Sequence, residues 1–465
     1  MINNSTINRF KKVVGDEYVL TSKEELLSYS YDSTAGVDSV VPKLVVKPGS
    51  TEEVAEVIKI ANEEEINVIP RGAGSNLCGG TIPVENSVVV VLTRLNKILE
   101  IDEENLTATV EAGVITVDVH DAVEEKGLFY PPDPGSMSVS TIGGNIAECA
   151  GGLRGLKYGV TKDYVMGLEI VLPTGEIIEV GGKTVKNVTG YDLPKLYTGS
   201  EGTLGIITKA ILKLIPKPET HKSMMAIFDE LDGAAETISS IISNKVVPVT
   251  LEIMDRVTIK TVEDFANIGL PTDAEAVLLI EVDGIEEVVE RDAKKVIKIC
   301  EEHGARQVKL AKTDEERDDV WAARRSALSA LARMKPTTIL EDATVPRSNI
   351  PDMIRGVNEI AKKYGLQIGT FGHAGDGNLH PTILTDERDK EEMEKVHKAV
   401  EEIFDIALDL DGTLSGEHGI GIAKAGFMAQ ELGEDGLQAL RNIKYSLDPK
   451  GLLNPHKLIG DGSNE

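Results

Sequence analysis

Apolar positions along the chain recur with two different periods, and the switches between them outline the elements. Residues 44–70 read strand, helix, strand. LVVKP is a short apolar run, STEEVAEVIKIANEEE carries apolar residues at helical spacing, and INVIP is a second strand. Ser50 and Glu53 form a capping-box pair at the start of the helix. The second strand empties into 71-RGAGSNLCGG-80. SVVVVL and the alternating ATVEAGVI predict two more strands, and VDVHDAVEEKGL predicts a helix with Gly127 as its stop. After 131-PPDPGS-136 come a glycine-dense tract, 143-GGNIAECAGGLRGLKYG-159, and a hairpin pattern, GLEIVLPTGEIIEVGG. The tract 198-TGSEGTLGIITKAILKLIPKP-218 closes this half, and the Lys- and Pro-rich 213-KLIPKPETHK-222 predicts a domain boundary.

Beyond that boundary the pattern becomes strands spaced by helices. MMAIF, VTLEIM, AVLLIEV, RQVKL, TILEDATV and LQIGTF are strand candidates, separated by stretches such as IEEVVERDAKKVIKICEEHG. With no phosphate-type glycine loop among them, these units predict an α+β domain of split βαβ type. The last forty or so residues look helical and end in 453-LNPHKL-458. The spans expected are an N-terminal helical extension (1–36), a first domain (37–217), a second (218–420), and a C-terminal helical segment (421–465) returning to the first.

Composition narrows the function. A chain of 465 residues exceeds what one core usually supports. A formal net charge of −28 argues against nucleic acid or an anionic membrane as partner. No apolar run reaches spanning length and MINNSTINRFKK lacks a secretory core, so a cytoplasmic protein is expected. Cys78, Cys149 and Cys300 fall short of the four thiolates an iron–sulfur cluster normally takes, and read best as small buried side chains.

The loop RGAGSNLCGG has spacing G-x-G-x-x-x-x-G, which is not the dinucleotide-binding fingerprint, and no amphipathic helix follows. Its weight comes from number. Gly- or Pro/Gly-rich loops at 71–80, 131–136, 143–152 and 199–205 fall within one half of the chain, each beside a strand. Amides in such loops can hold a pyrophosphate, and bare backbone lets a flat ring approach.

PRGAGSNLCGG, PPDPGS, STIGGNIAECAGGLRGLKYG, VTGYDLPKLYTGSEGTLGIIT and LNPHKL together resemble the FAD-binding domain of vanillyl-alcohol-oxidase and p-cresol-methylhydroxylase type. With GHAGDGNLH and SGEHGIG added, the chain resembles the flavin-linked 2-hydroxy-acid dehydrogenases, the group of D-lactate dehydrogenase and the glycolate oxidase flavin subunit. The resemblance implies an α+β protein: a two-subdomain FAD-binding domain plus an α+β ferredoxin-like cap domain for substrate and metal. It also implies that Arg71, Gly72, Ala73, Gly74, Ser75 and Asn76 hold the FAD pyrophosphate through amides and side chains. Pro134, Gly135, Ser136, Thr141, Ile142, Gly144, Asn145, Gly151 and Gly152 would line the rest. Glu201, Gly202, Ile206 and Ile207 would face the adenine half, and Asn454 the isoalloxazine ring. Some relatives tether FAD to a histidine in the first loop. Ser75 and Asn76 stand there in this chain, so non-covalent FAD is expected, with Cys78 a packed thiol and not a tether.

The segment 371-FGHAGDGNLHPTIL-384 places His373 and His380 on either side of a Gly-Asp-Gly turn signal. On one continuous strand they would face opposite sides; folded back as a hairpin they come to roughly 5 Å, across from one another. Two histidines suit either a shared divalent ion or a polar hairpin, and a third ligand would decide. Glu417 and His418 in 415-SGEHGIG-421 are adjacent, and extended backbone would send them opposite ways. By the resemblance, Glu417 completes a metal site with His373 and His380, and His418 is the active-site base. Zinc is the first expectation, with iron or manganese compatible. His120, His221, His303 and His397 read as surface or core residues, and His456 lies inside the terminal motif.

In 321-WAARRSALSALARMK-335 three arginines stand out in an acidic chain, and arginine grips a planar carboxylate with two parallel bonds. The resemblance selects Arg324 as the carboxylate-binding residue; Arg325 and Arg333 suit a solvated helix face. Relatives that take a dicarboxylate carry a lysine where this chain has Leu340, so a small monocarboxylic acid is expected. The implied reaction is FAD-dependent oxidation of a small D-2-hydroxy acid, D-lactate favoured, to the 2-oxo acid. Electrons would pass to a protein partner, electron-transferring flavoprotein favoured. The alternatives are a glycolate or other 2-hydroxy-acid dehydrogenase feeding an iron–sulfur subunit or quinone, and a non-redox FAD enzyme on the same fold.

Overall fold

In the computed structural model, which describes residues 2–460, the apolar runs LVV and VVVV become the strands Leu44–Val46 and Val88–Val91. Val68–Arg71 joins them in a parallel trio, and the short Val19–Leu20 lies antiparallel at one edge. Val88 and Val90 pack under the helix Thr51–Glu63, while Val89 and Val91 pack with Val45 and Ile69 on the other side. Strands covered on both faces must be apolar throughout, which is why these runs show no alternation. The Ser50 hydroxyl caps the helix by accepting the Glu53 amide at 3.2 Å. The Glu53 carboxylate takes the Gly49 amide at 2.6 Å, one residue earlier than a capping box requires.

A five-stranded antiparallel sheet follows, in the order Ile98–Asp102, Thr107–Glu111, Ile206–Lys213, Val165–Val171, Ile177–Gly181. The C-terminal segment docks on the edge strand of the first sheet: the Val68 amide donates to Leu452 and the Asn454 amide to Val68, each at 2.8 Å. These elements form one compact unit of 2–151, 160–217 and 417–460 among the described residues.

The second unit takes in Gly152–Gly159 and Pro218–Gly416. It therefore differs from the expected span of 218–420 by giving up 417–420 and gaining the short stretch after Gly151. Its first four strands lie in the order Ala305–Leu310, Thr220–Phe228, Ala276–Gly284, Thr250–Asp255, the fourth-first-third-second arrangement of a split βαβ unit. Gln367–His373, Asn378–Thr385 and Thr337–Leu340 continue the same antiparallel sheet. The helices Leu231–Ser243, Glu286–Glu302, Ile350–Tyr364 and Lys390–Asp409 cover one face. Arg256–Ala266 and Asp314–Ala332 cover the other.

Period-2 alternation sorts the strand residues between these faces. Leu251 and Ile253 point to the four-helix side and Met254 to the two-helix side, so Glu252 shares the side of Met254. A side chain at Gly369 would meet Leu331 at 2.9 Å and Thr258 at 3.1 Å. Glycine there lets the helix Asp314–Ala332 lie close to the sheet.

Candidate functional site

The first unit builds a cradle from its glycine loops. A Cβ on Gly72 would sit 2.3 Å from the Thr141 hydroxyl, so loop 71–80 and the turn into the helix Ile142–Glu148 touch main chain to side chain. Thr116 ties in the neighbouring loop: its hydroxyl bonds to the Ser140 carbonyl at 3.0 Å and accepts from Asn145 at 2.7 Å. Asn454 fastens the other side by donating to the Gly80 carbonyl at 3.0 Å and the Glu201 carbonyl at 2.7 Å.

Two features of this cradle fit FAD. Among the described residues the amides of Gly72, Ala73, Gly74, Ser75 and Asn76 donate to no protein acceptor, leaving consecutive N–H groups for a pyrophosphate. Asn454 is 2% exposed and its Oδ1 has no protein donor among the described residues, the kind of orphan a bound ring N–H satisfies. Gly135 is exposed and Ser136 half-buried, with no residue packed where a Gly135 side chain would stand.

Several residues expected at the cofactor are also engaged within the chain. The Arg71 guanidinium is buried and donates to the Tyr31 carbonyl at 2.8 Å and the Thr81 hydroxyl at 3.3 Å, so it braces the loop from inside. Ile206 belongs to the apolar core with Val54 and Val171. Glu201 is committed throughout. Its amide donates to Ala147, its carbonyl accepts from Asn454, and its carboxylate accepts the amides of Ile420 and Gly421, both at 2.7 Å.

Around Glu201 lies a buried acidic pocket. Burial pushes the Glu148 carboxyl well above its usual range, and the Glu201 charge adds to this. Burial also raises Glu201, against the Ile420 and Gly421 amides and the charges of Lys424 and Lys457. The Cys78 Sγ lies 3.6 Å from Glu148, and burial with these two carboxylates pushes the thiol up. It stays protonated and packed, a poor nucleophile for a flavin tether. Of the other cysteines, Cys300 is buried and Cys149 half-buried.

Glu417 and His418 belong to the same unit as the cradle. A Cβ on Gly151 would lie 2.5 Å from Glu417 Oε2, so the bare Gly151 makes room for that carboxylate. The expected opposite orientation of the two side chains does not hold. The chain bends at both residues, and His418 Nε2 lies 4.0 Å from Glu417 Oε1.

In the second unit the Gly-Asp-Gly turn closes a hairpin in which Phe371 pairs with His380 and His373 with Asn378. His373 and His380 share a face, their ring centroids 5.2 Å apart and their planes at 89°. Each has a carboxylate at Nδ1: Glu252 Oε1 lies 2.7 Å from His373, and Asp342 Oδ1 lies 3.7 Å from His380. The Asp342 Oδ2 accepts from the Ser415 hydroxyl at 2.7 Å. The Glu252 carboxylate at Nδ1 leaves Nε2 of His373 as its ligand atom, the usual arrangement of a metal-binding histidine. The hairpin thus presents two imidazoles on one face, donors of the kind a divalent ion takes.

Arg324 descends from the helix Asp314–Ala332 onto the same face. Its Nε donates to Glu252 Oε2 at 2.5 Å, and its guanidinium stacks 4.7 Å from the Phe371 ring centre. Burial alone would raise the Glu252 carboxyl; the charges of His373 and Arg324, with their hydrogen bonds, hold it below its usual value. Glu252, Asp342 and Phe371 were missed in the sequence. The available signal was an acid inside the apolar strand VTLEIM. Arg325 is exposed and Arg333 stacks on Phe265, both away from this cluster. His120 is held by the Pro132 carbonyl at 2.9 Å, His221 by Arg317 and His303 by Glu236, while His397 and His456 are exposed.

Residues 42–181 match the family described as FAD binding domain, and residues 217–458 match FAD linked oxidases, C-terminal domain. Glycolate oxidase subunit GlcD of Bacillus subtilis (strain 168) is 55% identical over 459 residues, 99% of this chain and 97% of that protein. D-lactate dehydrogenase of Archaeoglobus fulgidus is 36% identical, over 93% of this chain and 95% of its own. The crystal structure of p-cresol methylhydroxylase with substrate bound shares the fold, with a TM-score of 0.82 at 20% identity over 99% of this chain and 98% of that one. The matched families and relatives make it an FAD-linked oxidoreductase. The chain belongs to the FAD-linked oxidase family that contains D-lactate dehydrogenase and glycolate oxidase flavin subunits. Among the described residues, no helix is long and apolar enough to cross a membrane.

Proposed function

We propose that the chain oxidises a small D-2-hydroxy acid, D-lactate first, to the 2-oxo acid. The observation that carries this reading is Arg324. Its side chain is 11% exposed, its Nε is taken by Glu252, and among the described residues no acceptor engages its terminal nitrogens. A half-buried guanidinium with an open fork suits a planar carboxylate. Leu340 lies on the same face of the sheet, paired with Thr382, and an apolar residue there favours a monocarboxylic acid.

When bound, FAD supplies the hydride acceptor, and a divalent ion, zinc first, supplies Lewis-acid polarisation of the hydroxyl. Arg324 holds the substrate carboxylate. His373, His380 and Glu417 would hold the ion, and His418 would take the hydroxyl proton as general base. The amides of 72–76 hold the FAD pyrophosphate, and Asn454 Oδ1 meets the ring. FAD is non-covalent, the setting is cytoplasmic, and electrons leave to a protein partner, electron-transferring flavoprotein favoured.

A second reading, glycolate as substrate with an iron–sulfur subunit or quinone as acceptor, is favoured by the name of the 55% identical relative. Anaerobic reduction of the purified flavoprotein by D-lactate against glycolate separates the two.

A further inference from the structure

Glu252 is a fully enclosed charged group beside the proposed carboxylate site, and neither reaction reading uses it. Its side chain is 0% exposed. The register Ile253 to Gly372 puts it beside His373 on the neighbouring strand, and the face it occupies is covered by the helix that carries Arg324. Its two oxygens are divided between two partners: Oε1 to His373 Nδ1 at 2.7 Å and Oε2 to Arg324 Nε at 2.5 Å.

That division has chemical consequences on each side. At His373, an acceptor on Nδ1 selects the tautomer with the proton there and turns Nε2 outward as an electron-pair donor. At Arg324, a bond to Nε fixes the plane of the guanidinium, which Phe371 supports from its face. The two terminal nitrogens are then presented as a fork whose direction is set before any ligand arrives. An unbraced arginine would have to give up rotamer freedom on binding. One buried carboxylate thus sets the geometry of two groups at once.

We propose that Glu252 is a positioning residue that pre-orients Arg324 for the carboxylate of a 2-hydroxy acid and His373 for its ligand role. The inference rests on the function proposed for Arg324. A glutamine at 252 keeps the shape but can accept from only one of the two partners, because its amide nitrogen is a donor. It therefore breaks one arm and leaves the chain otherwise intact.

The experiment measures oxalate, a non-reacting dicarboxylate that includes the 2-oxo-acid head, binding to the FAD-loaded protein through the flavin spectrum. It uses wild type, E252Q, E252D, R324K and the E252Q/R324K pair. Metal retained after dialysis against a chelator and FAD content are read on the same samples. The expected result is oxalate affinity at least 10-fold weaker in E252Q, a smaller loss in E252D, and unchanged FAD content. In the R324K background E252Q should add less than 3-fold, since the geometry it protects is already gone, and E252Q should release metal faster than wild type. If E252Q does not fold, E252D alone carries the comparison with R324K. Wild-type affinity in the Glu252 variants, or losses that multiply independently with R324K, overturn the inference. A wild type that binds oxalate but whose flavin no 2-hydroxy acid reduces overturns the reaction and leaves the positioning role standing. A wild type that does not bind oxalate overturns the positioning role, while reduction of its flavin by a 2-hydroxy acid would still uphold the reaction.

Discussion

The Glu201 carboxylate accepts the main-chain N–H of Gly421 at 2.7 Å across 220 residues of sequence, and its other oxygen takes the adjacent Ile420 amide. These bonds anchor the segment that carries Glu417 and His418. In Glu201→Gln one amide loses its acceptor inside the protein, at a cost of about 1–3 kcal/mol. The expected outcome is a lower denaturation midpoint and a kcat reduced by roughly 10- to 100-fold as the segment shifts. FAD content should not change, because the carboxylate serves the chain. Loss of the flavin with the carboxylate would return Glu201 to the cofactor site.

His418→Ala should lower turnover by about 10²- to 10⁴-fold, the usual worth of a positioned general base. FAD should remain bound at wild-type stoichiometry. Steady-state rates beside the absorbance ratio of flavin to protein check both parts.

Arg324→Ala removes the cation facing a fully enclosed carboxylate. Breaking such a pair from one side costs about 3–5 kcal/mol, so chemical denaturation should show a marked loss of stability alongside a raised KM. Arg324→Lys keeps the charge and loses the fork, and should raise KM with a smaller stability loss. Equal KM for wild type and Arg324→Lys would remove the carboxylate from Arg324.

Asp255 caps the helix Arg256–Ala266 by accepting the Thr258 amide at 2.8 Å, and accepts the Thr370 amide at 2.9 Å. Burial pushes its carboxyl up to about 6 against those bonds. A folded value above the unfolded one, about 3.9, means the stabilising contribution is complete below about pH 4 and is lost as pH rises through 6. Wild type should lose roughly 3 kcal/mol from this group over that window. Asp255→Asn, which still caps a helix, should lack that loss when unfolding free energies are compared across the window. A parallel pH slope in both proteins contradicts the assignment.

Local signals were readable where local forces decide. The unbroken apolar runs at 44–46 and 88–91 announced strands, and the Gly-Asp-Gly turn announced the hairpin that brings His373 to His380. Glu252 stood out as an acid inside VTLEIM, but its role depends on the helix Asp314–Ala332 covering its face, which strand alternation alone does not reveal. The bonds of the Glu201 carboxylate were not readable for a related reason: its partners lie 219 and 220 residues away. The bend at Glu417 and His418 brings their side chains within 4.0 Å, where an extended reading had separated them.

The central claim is the identity of the reductant. Purified protein should be yellow and, titrated anaerobically across D- and L-2-hydroxy acids, should lose its flavin absorbance with D-lactate and far more slowly with L-lactate. A flavin that stays oxidised with every 2-hydroxy acid of either hand would contradict the account.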